Sequence, residues 1–408
     1  MDRGKTTLTA LILALSFHAN AQSWWAQNSG TTTNLMDINF FDNNTGFTFG
    51  DTLSTTVKTT NQGAVWSGLN PSFKNGDIRS SAFLDANTIV AIGIHDVAGG
   101  NGIVMKSVNS GNTWTADSTL PEKLFDVAFA DALNGWISGE NGYIARTTNG
   151  GANWLQLTTG TGEDIFSVYF VDANEGWAVG TVTTDAVILH TTNAGTNWTE
   201  QTSGITEPLF SVFFTDTVNG WAVGDNGTII ATTDGGTNWV SQTSNTLNAL
   251  FDVYFLDANK GWAVGGAGTV LKTTDGGANW LLETSGTTAD IQSIHMRHDS
   301  LGWFCGDGGV IRVYAMNPPS GINDFAYNNI RLEVFPNPSD NWVRIGFDNK
   351  GKAWDIKLFD LTGKLLLKKN AIRENHFTIK HGDLLPGFYM VEVSNENGAI
   401  ASTKIVVE

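Results

Sequence analysis

Thr232–Trp239 reads TTDGGTNW, and close copies stand at Thr59–Trp66 (TTNQGAVW), Ser107–Trp114 (SVNSGNTW), Thr147–Trp154 (TTNGGANW), Thr191–Trp198 (TTNAGTNW) and Thr273–Trp280 (TTDGGANW). Their final tryptophans are 48, 40, 44, 41 and 41 residues apart. The Asp or Asn at the third position can turn its side-chain oxygen back onto backbone N–H groups and hold a tight turn. The Gly at the fifth position can take a positive φ that other residues resist. The closing tryptophan can pack over the turn. Each copy therefore reads as a strand end, a closed turn and a strand start.

Working outward, three strand-like runs precede the turn: LFSVFFTD (Leu209–Asp216), GWAVG (Gly220–Gly224) and GTIIATT (Gly227–Thr233). Four short strands in a period near 40 residues predict the blade of a β-propeller. The first run occurs at Leu35–Asp42, Asp77–Asp85, Leu124–Asp131, Ile165–Asp172, Leu209–Asp216, Leu250–Asp257 and Ile291–Asp299. The last of these units ends near Tyr314 without the turn and its following strand. At the other end, SWWAQNSG (Ser23–Gly30) stands alone but aligns with NWTEQTSG (Asn197–Gly204), matching Trp24 to Trp198, Gln27 to Gln201 and Gly30 to Gly204. The expected fold is thus all-β, a seven-bladed β-propeller whose N-terminal strand closes the last blade, because closure removes the exposed edges of a linear array.

The pattern S/T-x-D-x-G-x-x-W resembles the Asp-box (BNR) repeat. With GWAVG before it, the run from Trp24 to Tyr314 resembles the photosystem II assembly/stability factor family. That resemblance implies a propeller whose boxes are structural turns, usually remote from the ligand, and leaves a role in envelope assembly as one expectation.

Met1–Ala21 reads as a secretory signal, with Arg3 and Lys5 before the apolar run Leu8–Phe17 and cleavage expected between Ala21 and Gln22. No other run approaches the ~20 apolar residues of a membrane helix. The single cysteine, Cys305, excludes an internal disulfide. The propeller is expected over 22–317 and a connector over 318–331. Residues 332–408 carry their own strand pattern and predict a small antiparallel β-sandwich. Pro336-Asn337-Pro338, the turn Asp360-x-x-Gly363-Lys364, the turn at Pro386-Gly387 with Tyr389, and the terminal KIVV resemble the type A C-terminal sorting domain of the type IX secretion system. The resemblance implies export by that machinery to the outside or the outer-membrane surface of a Gram-negative bacterium.

Charge divides the chain. Gln22–Asn317 holds 10 Lys and Arg against 28 Asp and Glu, a net of −18, while Pro318–Glu408 holds 11 of each. An acidic propeller argues against binding a nucleic-acid backbone and suits a glycan or protein ligand, with the propeller expected to be a monomer. The boxes join the third and fourth strands, so the remaining inter-strand loops form the opposite face. That face is expected to carry Asp77, Glu122, Lys123, Glu163, Asp164, Glu207, Asp225, Asp290 and Asp307. Such carboxylates could bind a ligand, hold Ca²⁺ through oxygen ligands, or run glycoside hydrolysis if two stood about 5–9.5 Å apart. A binding or scaffold module is the leading reading, and a glycan-active hydrolase the alternative. His295 and His298 fall on opposite faces of one strand and read as structural or exposed rather than as a metal pair.

Overall fold

A computed structural model describes residues 22–51, 55–69, 76–95, 100–181, 186–315, 332–335, 342–347, 353–360, 364–380, 384–395 and 400–407. The expected signal segment, with Ala21, lies outside the described residues, as do Pro336, Asn337, Pro338 and Gly363. The chain divides into two compact units, Met1–Pro319 and Ser320–Glu408.

Among the described residues, the first unit consists of seven four-stranded antiparallel sheets. In the first sheet, Leu35–Phe40, Gly46–Gly50, Thr56–Thr59 and Ser67–Leu69 follow one another from inside to outside. The last combines Ile291–His298, Leu301–Gly306 and Val310–Ala315 with Ser23–Gln27 from the N-terminus. Trp24 pairs with Tyr314 and Gln27 with Ile311 in that register. The N-terminal strand therefore closes the final blade.

Blades pack through a repeated aromatic couple. The Trp of GWAVG lies flat on the Phe that ends the first strand of the next blade: Trp177 on Phe214 at 3.6 Å and 9°, and Trp303 on Phe40 at 3.4 Å and 8°. Space for this comes from the glycine before the next tryptophan: a Cβ on Gly220 would stand 2.3 Å from the Phe214 ring. Trp136, Trp177, Trp262 and Trp303 are fully buried. The inter-blade seams, rather than one central core, hold the apolar mass of this unit.

The boxes are locks as well as turns. In TTDGGTNW, Asp234 accepts the Thr232 hydroxyl at 2.9 Å and the Asn238 N–H at 2.9 Å, and Gly236 sits at φ +86°. The preceding blade then grips the turn. Gln201 donates to the Gly235 carbonyl at 2.9 Å and accepts from the Trp239 indole at 3.1 Å. The Trp177 indole donates to the same carbonyl at 3.2 Å.

The second unit has two sheets around one core. Leu332–Phe335, Trp342–Phe347 and His376–Lys380 form one. Leu365–Ile372, Trp354–Asp360, Gly387–Asn395 and Ile400–Val407 form the other. Val343, Ile356, Val391 and Ile405 are among the residues fully buried between them. Asp360 and Lys364 close the hairpin, the Lys364 N–H donating to the Asp360 carboxylate at 3.0 Å. The Tyr389 hydroxyl donates to the Leu385 carbonyl at 2.6 Å, bracing the turn that contains Pro386 and Gly387.

Candidate binding site

The nine charged residues expected on the face away from the boxes lie on or beside the loops of that face, but most of their heads are engaged there. Asp164 accepts the Asn141 N–H at 3.0 Å and Asp290 the Ala267 N–H at 2.8 Å, each reaching into the turn of the preceding blade. Asn141 and Ala267 have φ of 55° and 53°, so these carboxylates steady turns whose backbone is unfavourable without help. Glu122 accepts from the Asn141 amide at 2.8 Å, Asp225 from the Asn226 N–H at 2.8 Å, Asp307 from the Gln292 amide at 3.0 Å and Glu207 from the Thr206 N–H at 3.2 Å. Lys123 pairs with Glu140 at 2.7 Å and Asp77 with Arg79 at 3.1 Å. Glu163 lies near the end of its loop, beside Asp164. Two of these carboxylates, Asp164 and Asp290, clasp the preceding blade, and most of the others bond within their own blade or loop.

The innermost strands build something the loops do not: an axial channel with a polar waist. Two residues after the fully buried Leu or Ile near the start of each first strand stand Asp37, Ser80, Asp126, Ser167, Ser211, Asp252 and Ser293. The carboxylates bridge neighbouring blades. Asp126 accepts from Ser80 at 2.8 Å, Ser167 at 2.9 Å and the Val168 N–H at 2.9 Å. Asp252 accepts from Ser211 at 3.0 Å and the Ile294 N–H at 2.9 Å. Asp37 accepts from Ser81 and Asn39. Burial pushes the Asp37 carboxyl up to about 7 against those hydrogen bonds, and repulsion from Asp252 and Asp126 adds to the rise. Burial likewise raises Asp252 to about 6 and raises Asp126.

The waist separates two mouths. Away from the boxes, a cavity of about 130 Å³ is ringed by Met36, Arg79, Phe125, Phe166, Phe210, Phe251 and Gln292. On the box side a chamber of about 450 Å³ opens, lined by Tyr169, Phe213, Tyr254, His295 and Arg297 among others. Asn39 Oδ1 lies 3.1 Å from His295 Nδ1. Burial, with the Arg297 charge beside it, lowers the imidazole to about 3 and keeps it neutral. His298, by contrast, is exposed and meets Ser300. Sequence reasoning passed over the channel because it looked for charge on loops. The available signal was the recurrence of Leu/Ile-x-Asp/Ser at the start of every first strand.

Two family models match. Residues 117–208 and 240–315 match photosynthesis system II assembly factor YCF48, and residues 333–408 match the secretion system C-terminal sorting domain. Comparison with curated proteins finds no significant match. Among solved structures, YCF48 bound to D1 peptide is 20% identical with a TM-score of 0.60, covering 74% of this chain and 100% of that one. YCF48 from Cyanidioschyzon merolae is 19% identical with a TM-score of 0.59, over 72% and 98%. The GH74 xyloglucanase from Xanthomonas campestris is 12% identical with a TM-score of 0.55, over 81% and 60%. At such identities the structural likenesses carry the fold alone. The protein thus has an Asp-box propeller similar to YCF48 and ends in a sorting domain of the type IX secretion system, which marks it for export. Among the described residues no helix is long and apolar enough to cross a membrane.

Proposed function

We propose that the protein is an exported binding module: the propeller takes a glycan or protein ligand, and the C-terminal domain delivers it through the type IX machinery to the outside or the outer-membrane surface. In this reading residues 1–21 are the signal peptide, 22–317 the propeller, 318–331 the connector and 332–408 the sorting domain. The observation that carries it is the axial channel, a preformed concave site on a ring of interlocked blades, lined by aromatic and hydrogen-bonding side chains. Sites of that kind, concave and with few convergent polar groups, are where ligands bind. The engagement of Asp164, Asp225 and Asp290 with turn backbone favours binding over glycoside hydrolysis on the loop face. A protein client in the envelope is the second reading, favoured by the YCF48 match.

The test is retention of the mature full chain on immobilised polysaccharides and glycoproteins, with released reducing ends measured in the same columns. Retention without release is expected. Release that disappears in Glu163→Ala or Asp164→Ala would replace this reading with the hydrolase.

A further inference from the structure

We infer that the box-side chamber of the axial channel is a saccharide site, in which the wall of Tyr169, Phe213 and Tyr254 takes the face of a neutral sugar ring and the two tyrosine hydroxyls bond its edge. This rests on the reading of the propeller as a binding module and adds which mouth is used and what class of ligand enters it.

The first ground is asymmetry within a repeat. At the fifth position of the first strand, four consecutive blades present rings: Tyr169, Phe213, Tyr254 and His295. Their centroids follow one another at 4.8, 5.0 and 5.4 Å, forming a continuous tilted wall. The other three blades carry Asn39, Ala82 and Ala128 at the same position. Sevenfold packing would be served by one residue type throughout. Here one side is built of rings and the other is left small, so the space lies against the wall. The resulting volume, about 450 Å³, is within the ordinary range of small-ligand pockets.

The second ground is unpaired polarity. Among the described residues, neither the Tyr169 nor the Tyr254 hydroxyl has a hydrogen-bond partner, although both side chains are half-buried in the wall. His295 Nε2 is buried and has none either. The Asn39 amide N–H donates to Asp37 and to the Ser81 carbonyl, which leaves its oxygen as the acceptor for His295 Nδ1–H. Nε2 is then a buried lone pair without a partner. An unpaired buried acceptor is unfavourable, so the wall is not arranged for stability alone.

The third ground is charge. Asp37, Asp126 and Asp252 stand at the floor and Arg297 at the rim of the same chamber. An anionic ligand would be repelled by the floor as it entered. A neutral ring with several hydroxyls suits both features: its C–H face meets the electron-rich ring faces of the wall, and its hydroxyls meet phenols and carboxylates.

Saturation-transfer NMR on the mature full chain tests this with methyl glycosides of glucose, galactose, mannose and N-acetylglucosamine, their β-1,4 disaccharides, and glucuronic acid. At least one neutral sugar should show transfer. Tyr254→Phe should weaken it severalfold and Tyr254→Ala at least tenfold. Ala128→Trp fills the open side beside Tyr169 and should also abolish it, with near-UV circular dichroism confirming the fold of each variant. Stronger transfer to disaccharides than to monosaccharides would assign the end of a chain rather than a free sugar. The inference is overturned if no neutral sugar shows transfer, if glucuronic acid is preferred, or if both Tyr254→Ala and Ala128→Trp bind as the parent does. Sugar binding that survives those changes and falls with Glu163→Ala or Asp164→Ala would overturn the chamber while leaving the binding module in place.

Discussion

Gln27 and Trp66 lock the two ends of the propeller together. The indole N–H of Trp66 donates to Gln27 Oε1 at 3.0 Å, and Gln27 Nε2 donates to the Gln62 carbonyl at 2.9 Å. Gln27 belongs to the N-terminal strand that completes the last blade, and Trp66 to the box of the first. The same couple joins Gln242 to Trp280, at 2.9 Å. The ring is therefore closed twice, by strand pairing and by a side-chain clasp at its seam.

Gln27→Ala removes both bonds and leaves the Trp66 indole, 7% exposed, without its acceptor. The Gln62 carbonyl keeps the Trp303 indole at 3.1 Å. One unsatisfied buried donor sets the expected loss at about 1–3 kcal/mol. Urea unfolding of the mature chain measures it.

Where the clasp is missing it can be supplied. Leu157 stands over Gly195 as Gln201 stands over Gly236, and the Trp198 indole N–H has no partner. Leu157→Gln should give it one and also reach the Ala194 carbonyl. A net gain of about 0.5–1 kcal/mol is expected, since a typical hydrogen bond contributes that much after desolvation. A raised Tm would show it, and Leu157→Asn, too short to reach, should not raise it.

The waist makes stability depend on pH. Asp37 and Asp252 are raised from 3.8 to about 7 and about 6, and Asp126 is raised too. Between the unfolded and folded values the native state binds more protons than the unfolded chain, so their contribution is complete below about pH 4 and is lost as pH rises through 6 to 7. His295, lowered to about 3, acts in the opposite sense below pH 6.5. Three carboxylates outweigh one imidazole, and the propeller should weaken from pH 4.5 to pH 7. Asp37→Asn should flatten that slope in urea unfolding at stepped pH.

Removal of residues 332–408 should leave the chain inside the outer membrane, since residues 333–408 match the sorting domain. Cell fractionation with a tag on the propeller reads the outcome. Tyr389→Phe, which deletes the hydroxyl bonded to Leu385 at 2.6 Å, should lower sorting-domain stability by about 1 kcal/mol. Hydrogen exchange across residues 384–407 in the full chain measures that loss.

The repeat was legible because its turns are local chemistry. Asp234, Gly236 and Trp239 act within eight residues, so TTDGGTNW reports its own shape. Closure by Ser23–Gln27 was legible too, since SWWAQNSG carries the Trp and Gln of an outer strand with no blade before it. The engagement of the loop carboxylates was hidden for the same reason in reverse. Asp164 and Asp290 look free in the chain, and their partners, Asn141 and Ala267, each lie 23 residues away.

The sequence by itself determined the blades, the way the ring closes and the export tail, because each rests on contacts between neighbours in the chain or on a terminal motif. Only the tertiary structure decided where a ligand can enter. Asp37, Asp126 and Asp252, like Tyr169 and Tyr254, come from separate strands and meet only around the channel axis. Their burial, mutual repulsion and stacking arise from that convergence, and no single repeat contains it.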